Sequence, residues 1–149
     1  CHSATNGEWL WQIPNAHRGG VTSLVLSSNQ RFVISGGVEG EVRVWELRSR
    51  ELVSHLKEHT MSVTGIALFD DDVHALTCSR DRSFLCWDLR REKRISNHTQ
   101  RMGGMNAIAL SRDQTQVLTV GQERKVTYAA LFVEDRIFRH VVLNFLKIL

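Results

Sequence analysis

The sequence predicts an all-β fold, an incomplete β-propeller of about three four-stranded blades with a short C-terminal helix. Three observations carry that expectation. First, Trp45 and Trp87 stand 42 residues apart, as do His17 and His59. Second, the same offset aligns Val21, Val63 and Met105, then Leu26, Leu68 and Leu110. It also aligns Ser35, Thr77 and Thr119, then Glu39, Asp81 and Glu123. Third, the stretches between these markers alternate apolar and polar residues in short runs bounded by turn residues, as half-buried strands do.

Within the first unit, residues 21–26 alternate and 31–35 are rich in β-branched and aromatic side chains. Gly36-Gly37 breaks that run, and Glu39-Gly40 supplies a tight turn. Residues 41–45 and 51–56 complete four strands. The second unit repeats them at 62–69, 73–79, 83–88 and 91–96. The third offers 105–111, 116–120 and 125–128 before the pattern stops at Ala129, where a tryptophan falls due. The expected boundaries are repeat one at 15–56, repeat two at 57–98 and a partial repeat three at 99–130. Glu8-Trp-Leu-Trp-Gln-Ile13 lies 42 residues before the strand around Val53, so 1–14 is read as the outer strand of a preceding blade. Residues 131–149 form a divergent tail. Phe138, Val141, Val142, Phe145, Leu146 and Leu149 recur at helical spacing, with Glu134 and Asp135 near the favoured N-terminal end. The spacing predicts a helix over 134–147. It is read either as a cap or docking helix, or as a replacement terminus produced by splicing or a frame change.

Composition narrows the function classes. The chain has 149 residues, a single proline and a net charge of +3. No apolar run reaches the length of a membrane span. Cys1, Cys78 and Cys86 form no CxxC pair, and the last two fall on apolar strands. Buried free thiols, and hence a reducing, cytoplasmic setting, are expected. The seven histidines show no metal-ligand spacing, and neither Gly36-Gly37 nor Gly103-Gly104 is followed by the Lys-Ser/Thr of a phosphate loop. No cofactor or metal is expected. Asn97-His-Thr99 matches a glycosylation sequon, but no secretory signal precedes it. Arginines gather in the second unit at Arg80, Arg82, Arg90, Arg91, Arg94 and Arg101, beside Lys93. No aromatics interleave with them to stack on bases, which argues against nucleic acid. The chain begins at Cys1, and three blades leave sheet edges uncovered, so it is read as a segment or truncated form of a longer chain.

Each unit places a histidine before its first strand, a hydroxyl in its second, an acid in the next turn and a tryptophan in its third. Unit one offers His17, Ser35, Glu39 and Trp45, and unit two His59, Thr77, Asp81 and Trp87. Unit three keeps Thr119 and Glu123. Ser/Thr, His and Asp also make hydrolase triads. A catalytic set need occur once, however, and this one recurs with the strands.

These residues, with Trp45-Glu46 and Trp87-Asp88, resemble the WD40 repeat family over about residues 8–128. The resemblance implies that each set is a structural hydrogen-bond network, and that the protein is a non-catalytic scaffold binding other proteins on one rim. The rim positions it implies are Arg18, Thr22 and Val38, then Thr64 and Arg80, then Asn106 and Gln122. Ala16-His-Arg, Val33-Ile-Ser-Gly-Gly37, Glu39-Gly-Glu-Val-Arg-Val-Trp45 and Leu56-Lys-Glu-His59 further resemble a blade of the WD-repeat proteins of ciliary and flagellar axonemes. That implies axonemal or microtubule partners. An alternative is a structural axonemal protein touching tubulin's acidic tails directly through the arginines. A hydrolase is the remaining, disfavoured alternative.

Overall fold

The computed structural model describes residues 1–101, 103–122, 126–134 and 137–142, the last two stretches by backbone alone. Among the described residues, twelve strands make three four-stranded antiparallel sheets, and no helix occurs. Sheet one contains β1 (Val21–Leu26), β2 (Phe32–Gly37), β3 (Glu41–Glu46) and β4 (Leu52–Lys57), hydrogen-bonded in chain order. Sheet two contains β5 (Val63–Leu68), β6 (His74–Ser79), β7 (Ser83–Asp88) and β8 (Lys93–Thr99). Sheet three contains β9 (Met105–Leu110), β10 (Gln116–Gly121), β11 (Val126–Glu134) and β12 (Ile137–Val142). First strands sit side by side, β1 against β5 and β5 against β9, so the sheets are three blades of an incomplete β-propeller.

The repeat is visible in the turns. Gln30, Asp72 and Gln114 occupy one repeat position and all take positive φ, at 57°, 54° and 59°. Gly40 and Arg82 do so between second and third strands, Arg50 and Glu92 between third and fourth. Gly40 is required by space as well. A methyl group on it would overlap the His59 carbonyl in the neighbouring blade.

The cores lie between blades. The first joins Ile34, Val42, Val44 and Leu56 of blade one to Val63, Leu85 and Trp87 of blade two. The second joins Leu76, Phe84 and Cys86 of blade two to Met105 and Val117 of blade three. Leu76 and Phe84 are Ile34 and Val42 moved on by one repeat, and Met105 is Val63. One stencil thus packs both joints, and each fully buried large side chain adds about 1.5–3 kcal/mol. Cys78 and Cys86 are buried free thiols, and burial pushes them up to about 11 and about 12.

Hydrogen bonds stitch each joint at both ends. At one end the Thr22 hydroxyl donates to the Val63 carbonyl of the next blade, and Thr64 donates to Met105 at 2.7 Å. At the other, the Asp72 carboxylate accepts from the Ser28 and Asn29 amides at 2.7 and 3.0 Å. Gln114 accepts from the Asp70 amide in the same way, at 3.4 Å.

One expectation is corrected. The helix over 134–147 is absent from its described part: β11 runs through Glu134, and Ile137–Val142 is β12, paired antiparallel to β11. Four of those six residues are β-branched or aromatic, and the backbone groups of β11 need a partner strand. Apolar pairs separated by Arg139-His140 fit a strand as well as a helix, and the sheet edge decided it. Residues 143–149 lie outside the described residues. Residues 8–13 join no sheet; an isolated bridge links His2 to Trp9.

Candidate functional site

In blade two the loop before β5, the turn after β6 and strand β7 converge on one imidazole. Asp81 accepts from His59 Nδ1 at 2.9 Å, and His59 Nε2 lies 2.8 Å from the Thr77 hydroxyl. Trp87 donates its indole N–H to the same hydroxyl at 2.8 Å. With the carboxylate holding the Nδ1 proton, Nε2 is an acceptor and Thr77 donates to it. The chain of donation therefore runs from Trp87 through Thr77 and His59 to Asp81. Ser83 extends it, donating to Asp81 at 2.5 Å and lying 3.1 Å from His59 Nδ1. The Thr60 amide donates to Asp81 at 3.0 Å, which fixes the loop to the turn.

Burial lowers the His59 pKa despite the opposing pull of Asp81, so the ring is neutral when folded. Burial pushes Asp81 upward, but hydrogen bonds from Ser83, Thr60 and His59 outweigh it and hold the carboxyl below its ordinary value.

Blade one shares half of this. Its Trp45 indole donates to Ser35 at 2.8 Å, and His17 Nε2 lies 2.8 Å from the same hydroxyl. Glu39, expected to hold His17, does not. It is exposed and lies 3.8 Å from Arg18, itself 90% exposed. His17 Nδ1 is buried without a hydrogen-bond partner. It sits against Gly37, where any side chain would overlap the ring. The loop is tied instead by Arg43, which donates to the Ala16 carbonyl and to Glu41, each at 2.8 Å. Glu41, nearly buried, also faces Lys57 at 3.3 Å and His55 at 3.4 Å. Burial works to raise its pKa, and Lys57 and Arg43 overcome that, so it stays charged. Burial, then Arg43, lowers the pKa of His17.

In blade three Thr119 is buried in β10, while Glu123 lies outside the described residues. Ala129 occupies the tryptophan position, opposite Val117 in the ladder.

Of the rim residues, Val38, Arg80, Asn106 and Gln122 are exposed, with Arg18 beside them in the loop before β1. Thr22 is exposed and Thr64 half-buried, and their hydroxyls are also the stitches between blades. The sequence reading also missed Glu41, Arg43, Ser83, Asp72 and Gln114. For Asp72 and Gln114 a signal was available in their 42-residue spacing and that of their backbone donors Ser28 and Asp70.

The set has no catalytic access. Thr77 is 0% and Ser35 3% exposed, and each accepts an indole proton, so neither hydroxyl of the two sets faces solvent. Among the described residues no group of metal ligands gathers. At the opposite end a cavity of about 470 Å³ is lined by Trp11, Arg31, Glu46 and Arg48 among others. Arg31 is paired with Glu46 there, at 3.7 Å.

Residues 8–46 and 50–88 match the family model described as WD domain, G-beta repeat, and the matches end with Trp45-Glu46 and Trp87-Asp88. The chain belongs to the WD40 family. Over 77 residues, half of the chain, it is 43% identical to human cilia- and flagella-associated protein 52. It is 30% identical over 73 residues to eukaryotic translation initiation factor 3 subunit I of Bombyx mori. The matched stretch spans only 12% and 21% of those proteins. The crystal structure of the Myceliophteria thermophila Cps50 (Swd1) β-propeller domain superimposes with a TM-score of 0.73 at 19% identity. That likeness covers 86% of this chain and 40% of that one, and shows the fold. WD40 propellers typically serve as scaffolds for protein interaction.

Proposed function

We propose that this WD40 chain is a non-catalytic scaffold of a cilium or flagellum, contacting other proteins through the rim that carries Arg18, Val38, Arg80, Asn106 and Gln122. The observation that carries the reading is the fate of the Ser/Thr-His-acid sets. The hydroxyl and histidine of each set are buried against one another, and in blade two the acid joins them, which leaves binding by exposed rim side chains as the chemistry on offer. The ciliary setting is supported by the 43% identity to cilia- and flagella-associated protein 52. Arg80 is the preferred contact, since arginine is enriched at binding hot spots. Demembranated axonemes should retain the tagged wild-type chain and release Arg80→Ala more readily. Equal retention removes Arg80 from the contact, and no retention of either protein sinks the ciliary reading.

A second reading, direct contact with acidic tubulin tails, has one observation in its favour. Blade two concentrates arginines, and Arg80 and Arg90 stand exposed at its two ends. Other members are already neutralised: Arg94 meets Glu58 at 2.5 Å and Arg91 meets Asp88 at 3.6 Å. Microtubule co-sedimentation at low and raised salt tests this reading. Binding absent at low salt rules out electrostatic attachment, which is strongest there.

A further inference from the structure

The rim changes chemistry along its length. Gly40, in the turn after β2, packs against the His59 and Met61 carbonyls of blade two. The Arg80 amide donates to the Ser62 carbonyl at 3.0 Å, and Gly104 of blade three packs against the Arg80 backbone. The Gln122 amide then donates to the Gly104 carbonyl at 3.0 Å. These contacts order the exposed side chains across both joints: Val38, then Met61, then Arg80, then Gln122. Val38 is 44% and Met61 51% exposed, an apolar pair over the first joint. Both blades of that joint are present, so the pair is not a face awaiting a neighbouring blade. Gly19 and Gly20 border Val38 and carry no side chain to cover it.

Over the second joint the rim is cationic. Arg80, Arg82 and Arg101 are exposed, and Arg82 donates to the Arg101 carbonyl at 3.4 Å, which draws its guanidinium to the loop that carries Arg101. Among the described residues no acid pairs with any of the three. The acids of the same loops and turns are engaged elsewhere. Asp81 is turned inward to His59 and Ser83, Glu58 meets Arg94, and Glu39 meets Arg18. In the sequence after Gln122, Arg124 and Lys125 outnumber Glu123. Guanidinium forks left unpaired in this way match carboxylates. Nucleic acid fits the rim less well, because Trp45 and Trp87 are buried and offer no ring on which a base could stack.

We infer that the rim takes an extended acidic segment of a partner protein, whose aliphatic end rests on Val38 and Met61 and whose carboxylates meet Arg80, Arg82 and Arg101. The inference rests on the reading of this rim as the contact surface and adds what that surface selects. Its two halves differ in chemistry, so they fix the direction in which the segment lies. A tail of acids alone engages only the arginine half. It binds more weakly and loses its hold as salt rises. The apolar half is what separates one acidic partner from another.

Fluorescence polarisation with labelled peptides tests it. Two probes join a leucine pair to a run of glutamates, one in each order. A third has serines for the leucines, and a fourth has lysines for the glutamates. One leucine–glutamate order should bind the whole chain, the serine probe should bind roughly tenfold more weakly, and the lysine probe should not bind. Met61→Ser should weaken the leucine–glutamate probe roughly fivefold and leave the serine probe unchanged. Arg80→Ala and Arg101→Ala should weaken both probes and lower their sensitivity to salt. All three substitutions alter exposed residues, and circular dichroism checks that each variant folds. No binding of either order, equal binding of the leucine and serine probes, or a Met61→Ser variant that binds as wild type overturns the inference. Tighter binding of a mixed-sequence single-stranded oligonucleotide than of any peptide overturns it in favour of nucleic acid. The peptides need no axoneme, so this inference and the ciliary reading fail separately. Release of Arg80→Ala from axonemes, together with no peptide binding, keeps the rim as a contact surface and removes only its acidic, apolar ligand.

Discussion

In blade two the loop before the first strand is held by an anion; in blade one it is held by a cation. Asp81 takes the His59 proton and the Thr60 amide, whereas Arg43 reaches the Ala16 carbonyl and leaves His17 Nδ1 unpartnered. The exchange turns on two repeat positions. Blade two has Ser83 and Leu85 where blade one has Glu41 and Arg43. Small Ser83 lets Asp81 fold inward and hydrogen-bonds to it. Glu41 carries its own buried charge, which collects Arg43 and Lys57, and Glu39 is left at the surface. What the repeat preserves is the constraint on the loop. The atoms that impose it differ.

The tryptophans offer the largest break in this symmetry. Trp87 is 1% exposed and belongs to the core between blades one and two, whereas Trp45 lies outside both described cores. Trp87→Ala should cost about 3–5 kcal/mol, as deletion of a large buried aromatic does. Trp45→Ala should cost distinctly less, although both break the same indole-to-hydroxyl bond. Urea melts of the two variants measure the difference. Equal losses would mean that the network, and not the joint, holds each blade.

Charge removal comes next. Glu41→Ala should cost about 2–3 kcal/mol, below the full penalty for orphaning a buried charge because Lys57 reaches water. Asp81→Ala leaves the buried His59 N–H without its acceptor and should cost about 1–3 kcal/mol. Glu39→Ala, at the position matching Asp81, should stay within about 0.5 kcal/mol, as exposed substitutions do. Thermal melts rank the three. A Glu39→Ala loss matching that of Asp81→Ala would show that solution brings Glu39 onto His17.

These contrasts mark what the sequence could reveal. The period, the sheets, Trp87, His59 and Thr77 were readable because the repeat states them twice. The role of Glu39 was misread because repeat position was taken for contact, and a neighbouring Glu41 redirects the side chains around it. The bonds of Thr22 and Thr64 to carbonyls of the next blade were not readable, because a strand-end threonine looks alike in sequence with or without such a partner. The tail was taken for a helix because its apolar spacing fits 3.6 as well as 2, and pairing with β11 is a non-local decision.

Acid should weaken the fold in two stages. The pKa values of His17, His59 and His98 are lowered by burial, so these rings stay neutral in the folded state. The unfolded chain takes protons as pH falls through 6.5, while the folded one does not. Stability therefore drops as pH falls below about 6.5. The second loss comes as pH falls through the depressed folded value of Asp81, below its ordinary 3.8. Melting temperatures should decline between about pH 7 and pH 5, and the slope should shrink in His59→Gln. A flat profile over that interval would mean that these imidazoles protonate without unfolding.

The finest distinction between the blades is a single proton. In blade two the carboxylate of Asp81 requires the proton on His59 Nδ1, so Nε2 accepts from Thr77. In blade one Ser35 lies 3.4 Å from the Arg43 carbonyl and can donate to it. His17 is then free to donate from Nε2 to the Ser35 oxygen. That choice leaves Nδ1 a bare lone pair against Gly37, a cheaper defect than a buried N–H without an acceptor. The two histidines should therefore be opposite tautomers, Nδ1–H at His59 and Nε2–H at His17. Long-range proton–nitrogen correlation spectra of the imidazoles at neutral pH read this directly. Asp81→Asn should weaken the preference at His59 and leave His17 as it was. Identical tautomers in the wild type would mean that Ser35 donates to His17 after all, and that the two blades differ in side chains but not in the direction of their hydrogen bonds.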